Sequence, residues 1–415
     1  MKNGWKSVTL DSICSIARGG SPRPIKDYIT EDEEGVNWIK IGDATASSKY
    51  IVKTKQRIRK EGISKSRFVK EGDFLLSNSM SFGRPYIMKT TGCIHDGWLV
   101  LSDKTGEFDQ DYLYHFLGSH IAYRQFDILA AGSTVRNLNI DLVSRVKVLL
   151  PPLPTQKRIV AILDEAFEAI DKTIANTEKN LQNARELFES YLNKVFTERG
   201  EGWEEKFVSE VCDIKHGFAF KSVNFDSTGK YVVLTPGSFY EKGGFRDQGV
   251  KTKYYTKQPP PEYILQKGDF LIAMTEQAVG LLGSSLIVPK ANKYLHNQRL
   301  GLVQPKAGIP WTNDFFFHQM NTNRFRAAVQ RTASGVKVRH TSPKKLGAIK
   351  VYYPPSTEMQ SLVANQLNTL LAETDAFRSN FFKKYGQLNS LKQSILQKAF
   401  TGELTEDFIE DQGVL

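Results

Sequence analysis

Cysteine is nearly absent: the 415 residues hold three, Cys14, Cys93 and Cys212. An odd trio cannot frame a set of disulfides, so a reducing compartment, the cytoplasm, is expected. No Cys-x-x-Cys pair or Cys/His cluster suggests zinc. Long apolar runs are missing too: no stretch approaches the roughly 18 residues of a membrane helix. The start MKNGWKSVTL also lacks an apolar signal segment. Neither membrane insertion nor export is expected. The G-x-x-x-x-G-K-[ST] pattern that cradles a nucleotide phosphate does not occur, which excludes a translocating motor. A methyltransferase acting on an exocyclic amine would show Asn or Asp before Pro-Pro and an aromatic after it. Leu150-Pro-Pro-Leu153 and Tyr353-Pro-Pro-Ser356 fail at both flanks. His95 lies next to Asp96, but no nucleophile elbow accompanies it, and no intrinsic catalysis is expected. Acidic residues are the rarer charge, 45 against 56 basic, for a net +11 and a pI near 9.3. Such an excess points to a polyanionic partner.

What the chain does contain is a statement made twice. Trp5 to Gly19 recurs as Trp203 to Gly217, with Trp, Cys, Ile and Gly all displaced by 198 residues. Glu71 to Leu75 (EGDFL) returns as Lys267 to Leu271 (KGDFL), and Pro151-Pro152 returns as Pro354-Pro355. A period this long means duplicated domains, since solenoid repeats run roughly 20 to 50 residues. Each copy is mixed and strand-leaning. Short apolar runs such as Val36 to Ile41, Trp98 to Leu101 and Asp269 to Met274 are punctuated by Gly, Ser, Asn and Pro. Helices are expected near Tyr112 to Ala122 and Trp311 to Val329. Cys14 and Cys212 hold the same place in the two copies, as a small buried residue in a strand does.

Each copy then runs into a long helix. No Gly or Pro interrupts Thr155 to Arg199. Ile170, Ile174, Thr177, Leu181, Ala184, Phe188, Tyr191 and Val195 alternate steps of four and three, a heptad seam that needs a mate. The stretch from about Ser356 to Thr401 supplies one through Leu367, Leu371, Thr374, Phe381, Tyr385, Leu388 and Ile395. Its register also places Arg378 and Lys392 on the seam, and Gly386 interrupts it.

These helical runs carry a family resemblance. Pro151-Pro152-Leu153-Pro154-Thr155-Gln156-Lys157-Arg158-Ile159 resembles the opening of the conserved helical region of type I restriction-modification specificity subunits, and Leu149 to Thr197 fits that region throughout. Tyr353 to Leu404, with Pro354-Pro355 and Gln360, is similar to the second such region. The second copy departs from the first by one residue: Gln156 follows Pro152 by four, whereas Gln360 follows Pro355 by five. The resemblance implies an α+β chain of two globular target recognition domains joined by two long antiparallel coiled-coil helices. The boundaries expected are 1–152 and 200–355 for the recognition domains, 153–199 and 356–404 for the helices, and 405–415 for a tail. It also implies that each domain reads one half of an asymmetric bipartite site in double-stranded DNA while the helices set the gap. Two methyltransferase subunits and restriction/translocase subunits would dock on the chain. Those partners would bind S-adenosylmethionine, ATP and magnesium, leaving no cofactor here.

Basic residues cluster in Lys49 to Lys70 and in Arg331 to Lys350. Contacts of that kind hold phosphates without reading sequence. Base readout needs Arg, Asn, Gln or Lys on loops that enter a groove. Candidates in the first copy are Arg23, Asn78, Arg84 and Arg136, and in the second Lys215, Gln277, Arg299, Lys337 and Arg339. The same plan also suits a non-catalytic scaffold that organises protein partners through its helices.

Overall fold

The computed structural model describes residues 4–46, 49–78, 83–130, 138–277 and 279–405. By contacts the chain divides into two compact units. One is built on the chain up to Thr177 together with the chain from Phe382, the other on Glu178–Phe381. Each long helix therefore contributes one part to each unit, where the sequence expectation had set the helices apart as spacers.

In the first unit, described strands form a five-stranded sheet in the order Cys14–Arg18, Trp98–Asp103, Phe74–Ser77, Pro85–Met88, Tyr50–Ile51. A second sheet orders Ile29–Thr30, Gln56–Ile58, Val36–Ile39, Gly92–Ile94 and Arg67–Val69, with Gly92–Ile94 parallel to Val36–Ile39. Lys6–Thr9 pairs antiparallel with Lys147–Leu150, clipping the start of the domain to the strand that leads into the helix.

The second unit repeats this plan. Cys212–His216, Leu300–Pro305, Phe270–Ala273 and Ser285–Ile287 form the first sheet, and Glu204–Phe207 pairs with Lys350–Tyr353. Equivalent strands keep register: Trp98 faces Ser77 as Leu300 faces Ala273. Cys14 and Cys212 open matching strands and are buried, as expected, and burial pushes both thiols up to about 12.

The two helices expected within the domains are each a pair. Gln110–Leu117 stops at Gly118 before His120–Ala130, and Asn313–Met320 stops at Asn321 before Asn323–Thr332. In the second pair the Thr322 hydroxyl caps the new helix by accepting from the Phe325 amide, so the chain restarts inside the span where one helix was expected.

The long helices span Leu153–Glu198 and Thr357–Thr401. Gln156 and Gln360 are each the fourth residue of their helix, so the extra residue after Pro355 lies ahead of the helix and leaves its phase unchanged. Both glutamines are fully buried and act as latches. The Gln156 amide accepts from the Asp109 backbone N–H (2.7 Å) and donates to the carbonyls of Glu107 (3.0 Å) and Pro151 (2.8 Å). Gln360 accepts from the Thr312 N–H (2.8 Å) and donates to the Pro310 carbonyl (2.8 Å).

Each core is closed by the beginning of one long helix and the end of the other. In the first unit Ile159, Leu163, Leu396 and Phe400 join one cluster, and Phe400 meets Tyr112 and Phe116 edge-on at 5.2 and 5.4 Å. In the second, Leu192 and Phe196 pack with Ala364 and Leu367, and Phe196 lies 5.3 Å from Phe315. The seam runs antiparallel within each unit: Lys392 pairs with Asp171 in the first, and the Tyr191 hydroxyl donates to Gln366 (3.2 Å) in the second.

Of the seam residues, Ile170, Leu181 and Leu367 are buried. Ile174, Phe188, Tyr191, Val195, Leu371, Phe381, Leu388 and Ile395 are half-buried. Lys392 fits the seam by laying its ammonium over the Phe167 ring at 5.2 Å, while Arg378 turns to Asp375 on its own helix (3.2 Å).

Candidate nucleic-acid interface

In both units a glycine at the end of the first sheet strand lets a turn come close. A Cβ on Gly19 would sit 2.0 Å from the His95 carbonyl oxygen, and one on Gly217 would sit 2.2 Å from that of Asn297. The repeat preserves these glycines because no side chain fits there. The turns they admit differ. Between Ile94 and Trp98 the first unit has His95-Asp96-Gly97, whereas between Leu295 and Leu300 the second has His296-Asn297-Gln298-Arg299, one residue longer.

The first turn is tightly held. The Asp96 carbonyl accepts from the Asn78 amide (2.7 Å) and from Arg18 Nε (3.1 Å), and the Asn78 backbone N–H donates to the Gly97 carbonyl (3.1 Å). The Asp96 carboxylate accepts from the Ser21 hydroxyl (2.7 Å) and stands 3.8 Å from Arg23. The Ser21 bond, with help from His95 and Arg23, holds its pKa below the usual carboxylate range. Burial lowers the His95 pKa, partly opposed by Asp96. Around this turn Arg23, Lys26 and Lys40 line an open hollow with Trp38 and His95.

The second unit puts different chemistry at the same edge. Lys215 lays its ammonium over the Tyr263 ring at 5.1 Å, and Phe218 packs on Tyr263 and Phe220. The Thr275–Gln277 segment is anchored by Glu276, which is 2% exposed. Its carboxylate accepts from the backbone N–H groups of Gly280, Leu281 and Leu282 (3.0, 3.0 and 2.8 Å) and from Gln330 (3.1 Å). Arg326 braces the same loop by donating to the Leu282 and Glu241 carbonyls at 3.1 and 2.7 Å. Burial lowers its pKa to about 10, so it stays charged.

The candidate residues fall into two groups. Arg23, Arg84, Gln277, Arg299 and Lys337 are exposed on loops or strand ends, with Arg84 stacked over Tyr86 at 5.2 Å, and Lys215 is half-buried. Asn78 and Arg339 serve the scaffold. Asn78 is 1% exposed and holds Asp96, and Arg339 contacts Glu276 (3.5 Å) and donates to the Gln330 carbonyl (2.9 Å). Arg136 lies outside the described residues. The basic clusters are partly neutralised: Lys49 binds Asp111 (2.8 Å), Lys60 binds Glu34 (2.8 Å), and Lys350 pairs with Glu205. Arg18, Asp96, Glu276 and Arg326 were not among the expected residues. The only sequence signal for Asp96 is its place beside His95, and a buried acid in a two-residue strand such as Glu276 leaves none.

Among the described residues no group of His, Cys, Asp and Glu could hold a metal ion, and no helix is long and apolar enough to cross a membrane.

Comparison with known proteins places these features in context. Residues 2–183 and again 200–380 match the family described as type I restriction modification DNA specificity domain. The chain is 24% identical to the type I restriction enzyme EcoKI specificity subunit of Escherichia coli K12, over 98% of this chain and 90% of that one. It is 21% identical to the MjaVIII specificity subunit of Methanocaldococcus jannaschii, over 96% and 93%. Among solved structures, a chain from a study of complex assembly and conformational transition of the type I R-M system aligns with a TM-score of 0.77, at 18% identity over 96% of this chain and 98% of that one. The HsdS subunit from Thermoanaerobacter tengcongensis aligns at 0.59, also at 18% identity, over 97% and 98%. These share the fold.

Proposed function

This chain belongs to the type I restriction modification DNA specificity family, and on that premise we propose that it selects the DNA site at which partner subunits act. Each repeated unit reads one half of an asymmetric bipartite site in double-stranded DNA. The paired helices set the gap between the halves and carry two methyltransferase subunits, with restriction/translocase subunits completing the assembly. The chain supplies placement and the partners supply chemistry, including any flipping of the target adenine. S-adenosylmethionine, ATP and magnesium are bound by those partners, and the assembly works in the cytoplasm. Arg23, Arg84, Arg136, Lys215, Gln277, Arg299 and Lys337 are the side chains assigned to DNA. Asn78 and Arg339 act by fixing the loops that carry them.

The observation that carries this reading is the contrast at the glycine-gated turns. Strand registers and both glycines repeat, while the turns differ in length and in every side chain after the leading histidine. A duplicated frame with divergent loops suits two readers of two different half-sites. Mapping methylated adenines made by the chain assembled with its methyltransferase partners tests it. The expected result is one bipartite motif with a constant gap. A continuous motif, or methylation without sequence preference, would contradict it.

A further inference from the structure

We infer that Asp96, together with Arg23, reads a single C·G base pair of the first half-site, the carboxylate accepting from cytosine N4 and the guanidinium donating to guanine O6 and N7. The inference rests on the proposed DNA-reading role and adds a residue and a base to it.

A carboxylate in the middle of a DNA-facing basic surface is repelled by phosphate. It weakens binding unless it meets a hydrogen-bond donor, and in the major groove the donors are the exocyclic amines of cytosine and adenine. Asp96 stands in such a place. Its side chain is 48% exposed, and Arg18, Arg23, Lys26 and Lys40 lie around it. Its backbone is fixed by Asn78 and Arg18 and by the close approach of Gly19 to the neighbouring carbonyl, so its position is set before any ligand arrives. Ser21 occupies one carboxylate oxygen at 2.7 Å. The other faces Arg23 at 3.8 Å, beyond a direct hydrogen bond.

Arg23 is 83% exposed and extends from the same hollow. An acceptor and a forked donor side by side match the adjacent N4 donor and O6 acceptor of one C·G pair. The fork further favours guanine, whose O6 and N7 both accept. The second unit has Asn297-Gln298-Arg299 at this turn and no acid, so the two half-sites differ at this position.

The test is the methylation motif made by the full chain assembled with its methyltransferase partners, for wild type and three variants. Asp96→Asn is expected to lower methylation of the original site about ten- to a hundredfold and to admit adenine in place of one cytosine, in the first half-site only. Arg23→Ala is expected to relax the same base pair. Ser21→Ala removes the hydrogen bond that steadies the carboxylate but keeps the acceptor, so it should lower methylation of the original site less than Asp96→Asn does and keep cytosine at that position. An unaltered motif in Asp96→Asn, a change at a pair other than C·G, or an equal change in Ser21→Ala would overturn the inference while leaving a bipartite wild-type motif intact. A wild-type motif that is not bipartite would instead remove the reading on which the inference stands.

Discussion

Burial holds the His296 ring neutral, with a pKa pushed down to about 4, while Nε2 donates to the Leu300 carbonyl at 2.9 Å. In the unfolded chain the same ring titrates near 6.5, so between about 6.5 and 4 the unfolded state takes up the extra proton and stability falls as pH falls. The full window is worth about 3 kcal/mol. Denaturant midpoints measured across it should drop on acidification, and His296→Asn should flatten that drop. An identical pH slope in the variant would show that the ring does not titrate as described. The same residue shows what a sequence hides. His296 and His95 lead equivalent turns, and nothing in their spacing in the sequence indicates burial. Asp96 and Glu276 were harder still: a single acid has no periodicity, and the importance of each comes from donors that only the fold brings to it, Ser21 to Asp96 and the Gly280–Leu282 amides with Gln330 to Glu276. Asn78 was legible as a loop polar group and turned out to hold another residue in place, which only the fold decides.

At the level of elements, the long helices were the most readable part of the chain, because apolar residues at heptad spacing and the lack of Gly and Pro point to one structure. Their ends carry more than the seam suggested. Phe196 and Phe400, 204 residues apart, each enter the core of the unit where their helix finishes. Replacing Phe400 with Ala empties a site between Tyr112 and Phe116 and should cost about 3–5 kcal/mol. Hydrogen exchange on the full chain is expected to rise in the described residues before Thr177 and to change little in Glu178–Phe381. Uniform acceleration, or none, would contradict the closing role given to Phe400. The breaks at Gly118 and Asn321 fall inside spans where one helix was expected, since no proline marks either of them. The starting phase of the second helix was hidden by the extra residue after Pro355, and the buried Gln360 amide resolves it.

At the scale of the whole molecule, duplication and function share one logic. The frame is copied in strand register, gating glycine, latch glutamine and closing phenylalanine, and these repeat because each has a steric or hydrogen-bonding reason to be where it is. The turns and loops beyond that frame have no such reason and have diverged. Fold class and repeat were therefore open to sequence reasoning, and the identity of the reading residues was not, since divergence removes the only internal comparison the chain offers. The central claim is that each unit reads its own half-site independently of the other. The most direct test replaces residues 5 to 150 with the corresponding segment of a relative of different specificity, then maps methylated adenines made by the assembled complex. The account predicts a motif with one new half, the other half unchanged, and the same gap between them. A motif unchanged in both halves, or altered in both, would contradict it.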